Sequence, residues 1–411
     1  MKINLKINYN IVVFSFLFYL FFWSYLFEGE NLLRYLIIIP LICSLFYKEV
    51  LIKVSIYKFL CIPIFLLIHY FLINFWYSNQ INLREIYSLI FLTLIIYTYL
   101  IYRNFINENL IYIFKIYFII LILFSLFSSQ FVDHGSCSSS FFSYLPFLKN
   151  LSISKGFFSE NSHLAMVNIA AILSSYYYFF KKKDYILLIL ASFSLLINIF
   201  NLSTTFLLGY LLCSVLFIVI CNNNKFRLLL ITSSIIFFIY LFNTPDCSKK
   251  YTYFKFSDVK DNRIKKDKSG ALTSTIYVRS TIISLKTLKE KPFGWGYDGT
   301  LKATTDHISP MKQDYLDNNM DPIIWELNIR DALGNIFKLI IEFGYLNIVL
   351  IFIFLKYIIN SKISEIEIFF LSIFIIQLFR GAGYINGGFI VAFSEIFLAK
   401  YFIINNHHLN K

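Results

Sequence analysis

Charge is what this 411-residue chain has least of. Asp, Glu, Lys and Arg make up 15% of it, where a soluble domain carries about 25%. Apolar residues fill 58%, aromatic rings 20%, and the mean hydropathy is +0.66. A water-soluble surface cannot be assembled from the remainder. That excludes an ordinary cytosolic enzyme, a disordered chain and a secreted disulfide scaffold. Acidic residues are scarcer than basic ones, 24 against 37, so the net charge is +13. Such an excess points to nucleic acid or an anionic lipid surface. Alanine is also scarce while Phe, Tyr, Ile, Asn and Lys abound, as AT-rich coding would produce. Where the charges sit therefore carries more than their sum.

The signatures of common soluble enzymes are missing as well. The chain has no GxxxxGK[ST], HExxH, CxxC or GxSxG pattern, hence no sequence mark of a P-loop, a zincin, a dithiol pair or a nucleophile elbow. No Asp-x-Asp pair is present to hold a metal-bound nucleotide sugar. Histidines 69, 134, 163, 307, 407 and 408 have no metal spacing within a helix. No metal and no cofactor are expected. Cys43, Cys61, Cys213 and Cys221 read as small apolar fillers. Cys137 and Cys247 fall in two outer loops, where they either pair in an oxidising compartment or remain independent thiols.

What is present is a succession of apolar runs. A membrane helix needs about 20 such residues. Candidates lie near 10–27, 32–47, 54–76, 85–102, 110–130, 163–180, 185–200, 204–221, 228–243, 335–357, 365–380 and 388–404. The expected fold is an all-α polytopic membrane protein of about twelve transmembrane helices. The first run follows Lys2 and Lys6 like a signal peptide, lacks a small-residue cleavage site, and reads as a retained anchor. Lys48 and Lys53, Arg103, Lys181–Lys183, Lys225 with Arg227, and Lys362 occupy every second connection. The positive-inside rule then puts both termini in the cytoplasm. Five stretches follow: helices 1–5 in 1–130, a first outer loop at 131–162, helices 6–9 in 163–243, a large outer loop at 244–334 between helices 9 and 10, and helices 10–12 in 335–411. No internal repeat is visible, which weighs against a transporter.

Several outer residues combine polarity with unusual backbone freedom. Residues 271–290 read as an amphipathic helix carrying Arg279 and Lys286 on one face. Lys291-Pro292-Phe293-Gly294-Trp295-Gly296 follows. Its proline stops the helix, and Gly294 and Gly296 permit a turn whose amides could cradle an anion. The same helix could equally lie on a membrane with its basic face toward lipid phosphates. Arg330, Asp331 and Asn335 lead into an apolar run that contains Glu342. A carboxylate there costs about 2.5–3.5 kcal/mol to insert, so it needs a partner or water; bonding to a neighbouring helix would suffice. Arg380 heads a Gly-rich stretch and could be merely interfacial. Ser159, Glu160 and Asn161 suit the start of a helix, while Glu160 and His163 could also line the mouth of a cavity.

Taken in order, Gly156-Phe157-Phe158-Ser159-Glu160-Asn161, Asn201-Leu202-Ser203-Thr204-Thr205, the arginine-bearing loop helix with its Lys-Pro-Phe-Gly-Trp-Gly end, Asn335, Glu342-Phe343-Gly344 and Gln377–Tyr384 resemble the bacterial O-antigen polymerase (Wzy) group of the O-antigen polymerase/ligase family. The resemblance spans roughly 150–400. It implies a metal-independent glycosyltransferase of the bacterial inner membrane, active on the periplasmic face. Its substrate would be oligosaccharide repeat units on undecaprenyl diphosphate, with a chain-length regulator protein and membrane lipids as further partners and no nucleic acid. By position, Arg279 and Arg380 match the family's diphosphate-holding arginines. Lys286, Arg330, Asn335, Glu342, Gly294 and Gly296 complete the expected binding set. Asp331, Glu160 and His163 are the candidate general bases, Asp331 first among them. The ligases carry an arginine where this chain has Thr204, and a histidine near Asp331. Both departures favour the polymerase over the ligase. A lipid-linked oligosaccharide flippase or a structural envelope subunit would be the rivals from other classes.

Overall fold

The computed structural model describes residues 9–22, 36–45, 56–77, 81–127, 158, 160–201, 203–243, 269–307, 332, 334–360, 363–381 and 383–399. Among these the chain is mostly helical and forms no strand. The elements are α1 (Tyr9–Phe21), α2 (Ile38–Leu45), α3 (Ile56–Trp76), α4 (Leu83–Phe127), α5 (Asn161–Lys182), α6 (Tyr185–Phe200), α7 (Thr204–Ile220) and α8 (Asn224–Asn243). After the first stretch of the large loop come α9 (Ser269–Glu290) and a short helix α10 at 300–307. The C-terminal part holds α11 (Asn335–Phe343), a 3-10 turn (Gly344–Leu346), α12 (Asn347–Asn360), α13 (Glu365–Phe379), α14 (Phe389–Phe393) and a π turn (Ser394–Leu398).

Most boundaries lie within a few residues of the apolar runs, and local chemistry explains them. Ser203 starts α7 by accepting from the Phe206 amide, and Asp184 starts α6 by accepting from Leu187. Ser364 and Glu367 make a reciprocal capping box for α13. Lys183 ends α5 in the left-handed conformation with φ 60°.

Three expectations need correction. The runs 85–102 and 110–130 are not two helices: α4 is continuous over 45 residues. At about 1.5 Å per residue it is about 67 Å long, twice the hydrocarbon thickness of about 30 Å. Its sequence contains neither proline nor glycine, so nothing breaks the hydrogen-bond ladder, and Asn109 bonds back to the Phe105 carbonyl at 2.8 Å. Arg103 is therefore a mid-helix residue and not a loop charge. The run 335–357 is likewise interrupted, because Gly344 adopts φ +55° and turns the chain through the 3-10 segment. The last run splits into α14 and the π turn.

The core is built on α5 and α13. Leu164 through Tyr176 are buried without a gap, as are Ile368 through Gln377. A helix buried all round must satisfy its neighbours on every side. Small residues on α5 (Ala165, Ala170, Ala171, Ser174 and Ser175) let α6, α7 and α13 approach it closely. Its few polar groups are paired across helices: Asn168 Nδ2 donates to the Ser194 carbonyl at 3.2 Å, and Ser194 Oγ donates to Asn168 Oδ1 at 2.7 Å. Gly209 on α7 leaves room for Ile376 and Ile169, which a methyl group would meet at 3.1 and 3.2 Å.

The outside of the bundle is apolar too. Phe75 and Trp76 on α3, Phe193 on α6, Val219 on α7, Ile236 on α8 and Phe352 on α12 are all more than half exposed. Contiguous exposed patches of this kind mark a surface that meets something other than water. By length and composition, Leu83–Leu126 and Asn335–Lys356 are each sufficient to cross a membrane.

Candidate functional site

The large loop is fastened to the helices by a joint of backbone on backbone. The Lys291 amide makes the last helical bond of α9, to the Thr287 carbonyl at 2.7 Å. Pro292 ends the helix, and Gly294 at φ +82° reverses the chain. Trp295 N then donates to Ile341 O at 2.9 Å, Gly296 N to Glu342 O at 3.0 Å, and Tyr345 N to Pro292 O at 2.8 Å. The approach is so close that a Cβ on Gly294 would lie 2.3 Å from Glu342 O, and one on Gly344 would lie 2.0 Å from Pro292 O. Gly294 N itself bonds to Lys291 O at 2.7 Å. The amides of Gly294 and Gly296 thus face protein carbonyls. Their glycines serve close approach rather than the anion cradle that the sequence allowed.

Behind this joint sits a buried polar cluster. Glu342 is fully buried; its Oε1 accepts from Thr300 Oγ1 at 2.9 Å. Its Oε2 accepts no hydrogen bond of good geometry among the described residues, and the Tyr384 hydroxyl lies close to the carboxylate. Lys338, one turn earlier on α11, lies 3.8 Å from Glu342 and 3.4 Å from Asp298. The Tyr297 hydroxyl meets Ser88 Oγ on α4 at 2.9 Å. Lys302 reaches Glu85 at 3.2 Å and Asn74 at 3.5 Å. The loop is thereby tied to α3, α4 and α11 together. Of these residues the sequence marks Glu342 as a site candidate and holds Tyr384, Tyr297 and Asp298 only as members of its glycine-rich stretches, while Lys338, Lys302 and Glu85 carry no mark. The i, i+4 spacing of Lys338 and Glu342 was the available signal.

A second cluster forms at the opposite end of α11. The Tyr277 hydroxyl of α9 donates to the Phe379 carbonyl, the last residue of α13. Arg380 is the next residue, and Tyr277 and Glu160 lie within electrostatic reach of it. Arg279 lies two residues beyond Tyr277 and is only 7% exposed. Burial pushes its guanidinium down to about 10, so it remains a cation at neutral pH. Glu160 Oε2 accepts from Ser162 Oγ at 2.8 Å and lies 3.8 Å from His163 Nε2. Glu160 is also the first residue of the turn into α5, but its side chain does not cap that helix. Lys286 is half-buried two turns farther along α9.

Asn335 begins α11 and is wholly buried, and neither of its side-chain polar atoms finds a hydrogen-bond partner among the described residues. A Cβ on Gly381 would lie 2.7 Å from Asn335 Oδ1, and one on Gly334 would lie 2.7 Å from the Phe379 carbonyl. The start of α11 is thus pressed against the end of α13, beside Arg380. Arg330 and Asp331 lie outside the described residues, as do Cys137 and Cys247. Cys213 and Cys221 are buried free thiols.

Among the described residues no group of three or more His, Cys, Asp or Glu is placed to share a metal ion. Comparison of the chain with protein-family models, with curated proteins and with solved structures gave no match.

Proposed function

We propose that this chain is a polytopic inner-membrane glycosyltransferase that joins oligosaccharide units carried on undecaprenyl diphosphate, working on the periplasmic face. The carrying observation is the Tyr277–Phe379 hydrogen bond. It brings α9, which carries Arg279, against the end of α13, which Arg380 follows. Two guanidiniums on these adjoining elements, one largely desolvated, offer the charge that a diphosphate needs. Guanidinium groups pair with phosphate oxygens through two parallel bonds and keep their charge. The exposed apolar belt supports a membrane setting, where such a carrier lives.

In this reading the bond from the anomeric carbon of the growing chain to the diphosphate oxygen breaks. Its electron pair leaves with the diphosphate, and the two arginines stabilise the charge that develops there. A hydroxyl of the incoming unit forms the new C–O bond and loses its proton to a base. The Glu160–His163 pair stands beside Arg380 and fits that role.

The test is genetic. Deleting the gene should leave single repeat units on the lipid core when surface polysaccharide is run on a gel. Complementation with Arg279→Ala or Arg380→Ala should fail to restore long chains although the protein reaches the membrane. A near-normal ladder from both variants refutes the assignment. A complete loss of surface glycan on deletion indicates a ligase or a flippase instead.

A further inference from the structure

The turn that joins α9 to α10 lies well below the ends of the helices it touches. Lys291 starts level with the end of α3: its Nζ stands 4.2 Å from the centre of the Tyr77 ring and 3.1 Å from that of Trp295. Two residues later the Phe293 carbonyl meets His69 Nε2 at 3.1 Å. His69 is seven residues before Trp76, the last residue of α3, which is about 10 Å along the helix axis. Tyr297 meets Ser88, five residues inside α4. Gly296 meets Glu342, seven residues inside α11. The chain rises again at Lys302, which reaches Asn74 and Glu85 near the helix ends. Leu83–Leu126 and Asn335–Lys356 are the two segments long and apolar enough to cross a membrane among the described residues. The turn is therefore held beside the interior of both.

Its chemistry suits that depth. Backbone that is neither helix nor sheet survives among acyl chains only where protein satisfies its polar groups. Pro292 has no amide hydrogen to satisfy. The amides of Gly294, Trp295 and Gly296 all find protein carbonyls, and the carbonyls of Pro292 and Phe293 are taken by Tyr345 and His69. Of residues 292–300 only Pro292 and Phe293 are exposed, Phe293 at 57%. The Phe293 ring thus emerges beside α3, whose exposed stripe of Ile68, Phe71, Leu72 and Phe75 runs past the level of His69. A lysine stands where the chain goes down and another where it comes up. Lysines at an interface reach the headgroups in this way, and Lys291 between two rings is further held by their faces.

We propose that residues 291–302 form a re-entrant hairpin in the periplasmic leaflet, with the Phe293 ring against lipid acyl chains and the Lys291 and Lys302 ammoniums at the headgroups. The large loop is then fastened to the bilayer as well as to the helices, instead of standing wholly in water. The depth of the turn selects the partner, because the ring is presented level with an apolar stripe that faces the same way. The proposal rests on the membrane setting of the function proposed above and not on its chemistry.

The experiment puts the full chain in nanodiscs of phosphatidylcholine and phosphatidylglycerol, with the photoreactive p-benzoylphenylalanine in place of Phe293. The same analogue in place of Phe352, in the exposed belt on α12, is the lipid-facing reference. Mass spectrometry after irradiation should find phospholipid adducts at position 293 as often as at position 352. Adducts clearly rarer than that, or crosslinks from position 293 that go mainly to protein, overturn the proposal. A second measurement needs no photochemistry. Phe293→Asp puts a carboxylate at acyl depth and should speed protease cleavage of the large loop about tenfold, while Phe293→Leu leaves cleavage as in the parent. Phe293→Asp cleaved no faster than Phe293→Leu overturns the proposal too, because an exposed position in water accepts a carboxylate freely. Lipid adducts at position 293 in a chain whose deletion leaves long surface glycan would keep the hairpin and sink the polymerase reading. Loss of polymer on deletion, with no lipid adduct at position 293, would do the reverse.

Discussion

Among the described residues three carboxylates are buried, Glu85, Glu342 and Glu395, and the last two are treated in opposite ways. Glu395 on the π turn is 2% exposed and fully engaged: Arg103 Nε and Nη2 reach its two oxygens at 2.6 and 2.5 Å, and the Tyr99 hydroxyl adds a bond at 2.7 Å. Glu342 is more deeply buried and less satisfied. One oxygen has Thr300; the other has no hydrogen-bond partner among the described residues, and the nearest ammonium, on Lys338, is 3.8 Å away. A fork of parallel bonds fixes geometry. A half-satisfied network leaves a group able to change partners. Glu395 thus reads as a fastener between α4 and the C-terminal helices. Glu342 sits where the large loop meets α11, and reads as a group held ready.

The largest effect should come from breaking the fastener. Glu395→Ala strips the partly buried Arg103 of both its bonds, a loss of about 1.5–3 kcal/mol for hydrogen bonds to a charged group. The variant should melt well below the parent in detergent and accumulate poorly in the membrane. Replacing both partners, Arg103→Met with Glu395→Leu, should recover most of the loss, because no charge is then stranded. If the double variant is as damaged as the single one, the pair does more than fasten. Next in size is the loop joint. Gly344→Ala adds a Cβ 2.0 Å from the Pro292 carbonyl at a φ of +55°. Backbone strain of that kind costs on the order of 1–3 kcal/mol. The expected result is an undocked loop that is cleaved faster by protease while the bundle melts nearly as before.

The same contrast explains what could be read from the sequence. Apolar runs placed α5 to α7 and α13 within a few residues, because those boundaries are set by local neighbours such as Ser203 and Ser364. The loop helix and its proline stop were legible for the same reason. Arg103 was misplaced because a basic residue between two apolar runs normally marks a connection; its partner Glu395 is 292 positions away, beyond any local pattern. Gly294 and Gly296 were visible as a special turn, and the Gly294 amide finds Lys291 within it, but the partner of the Gly296 amide, Glu342, follows only from the tertiary approach of α11. Glu342 stood out as a carboxylate in an apolar run, while Lys338, Lys302 and Ser88 carry no mark until the fold gathers them.

A cap sets the scale for the smallest test. Ser364→Ala removes the hydroxyl that receives the first amides of α13 and should cost about 1 kcal/mol, seen as a modest fall in melting temperature. Glu342→Gln should change stability by a similar amount. The amide keeps an oxygen for Thr300 and offers its nitrogen to the Tyr384 hydroxyl, so a buried charge is exchanged for a neutral group of the same shape, a change worth about 0.5–1.5 kcal/mol in either direction. Product should nevertheless change, toward shorter polymer on the gel, because the variant no longer carries the negative charge that faces Lys338 and Asp298. A Glu342→Gln protein that unfolds like Glu395→Ala would make the two carboxylates alike after all. One that matches the parent in both melting and chain length would leave Glu342 with only a packing role.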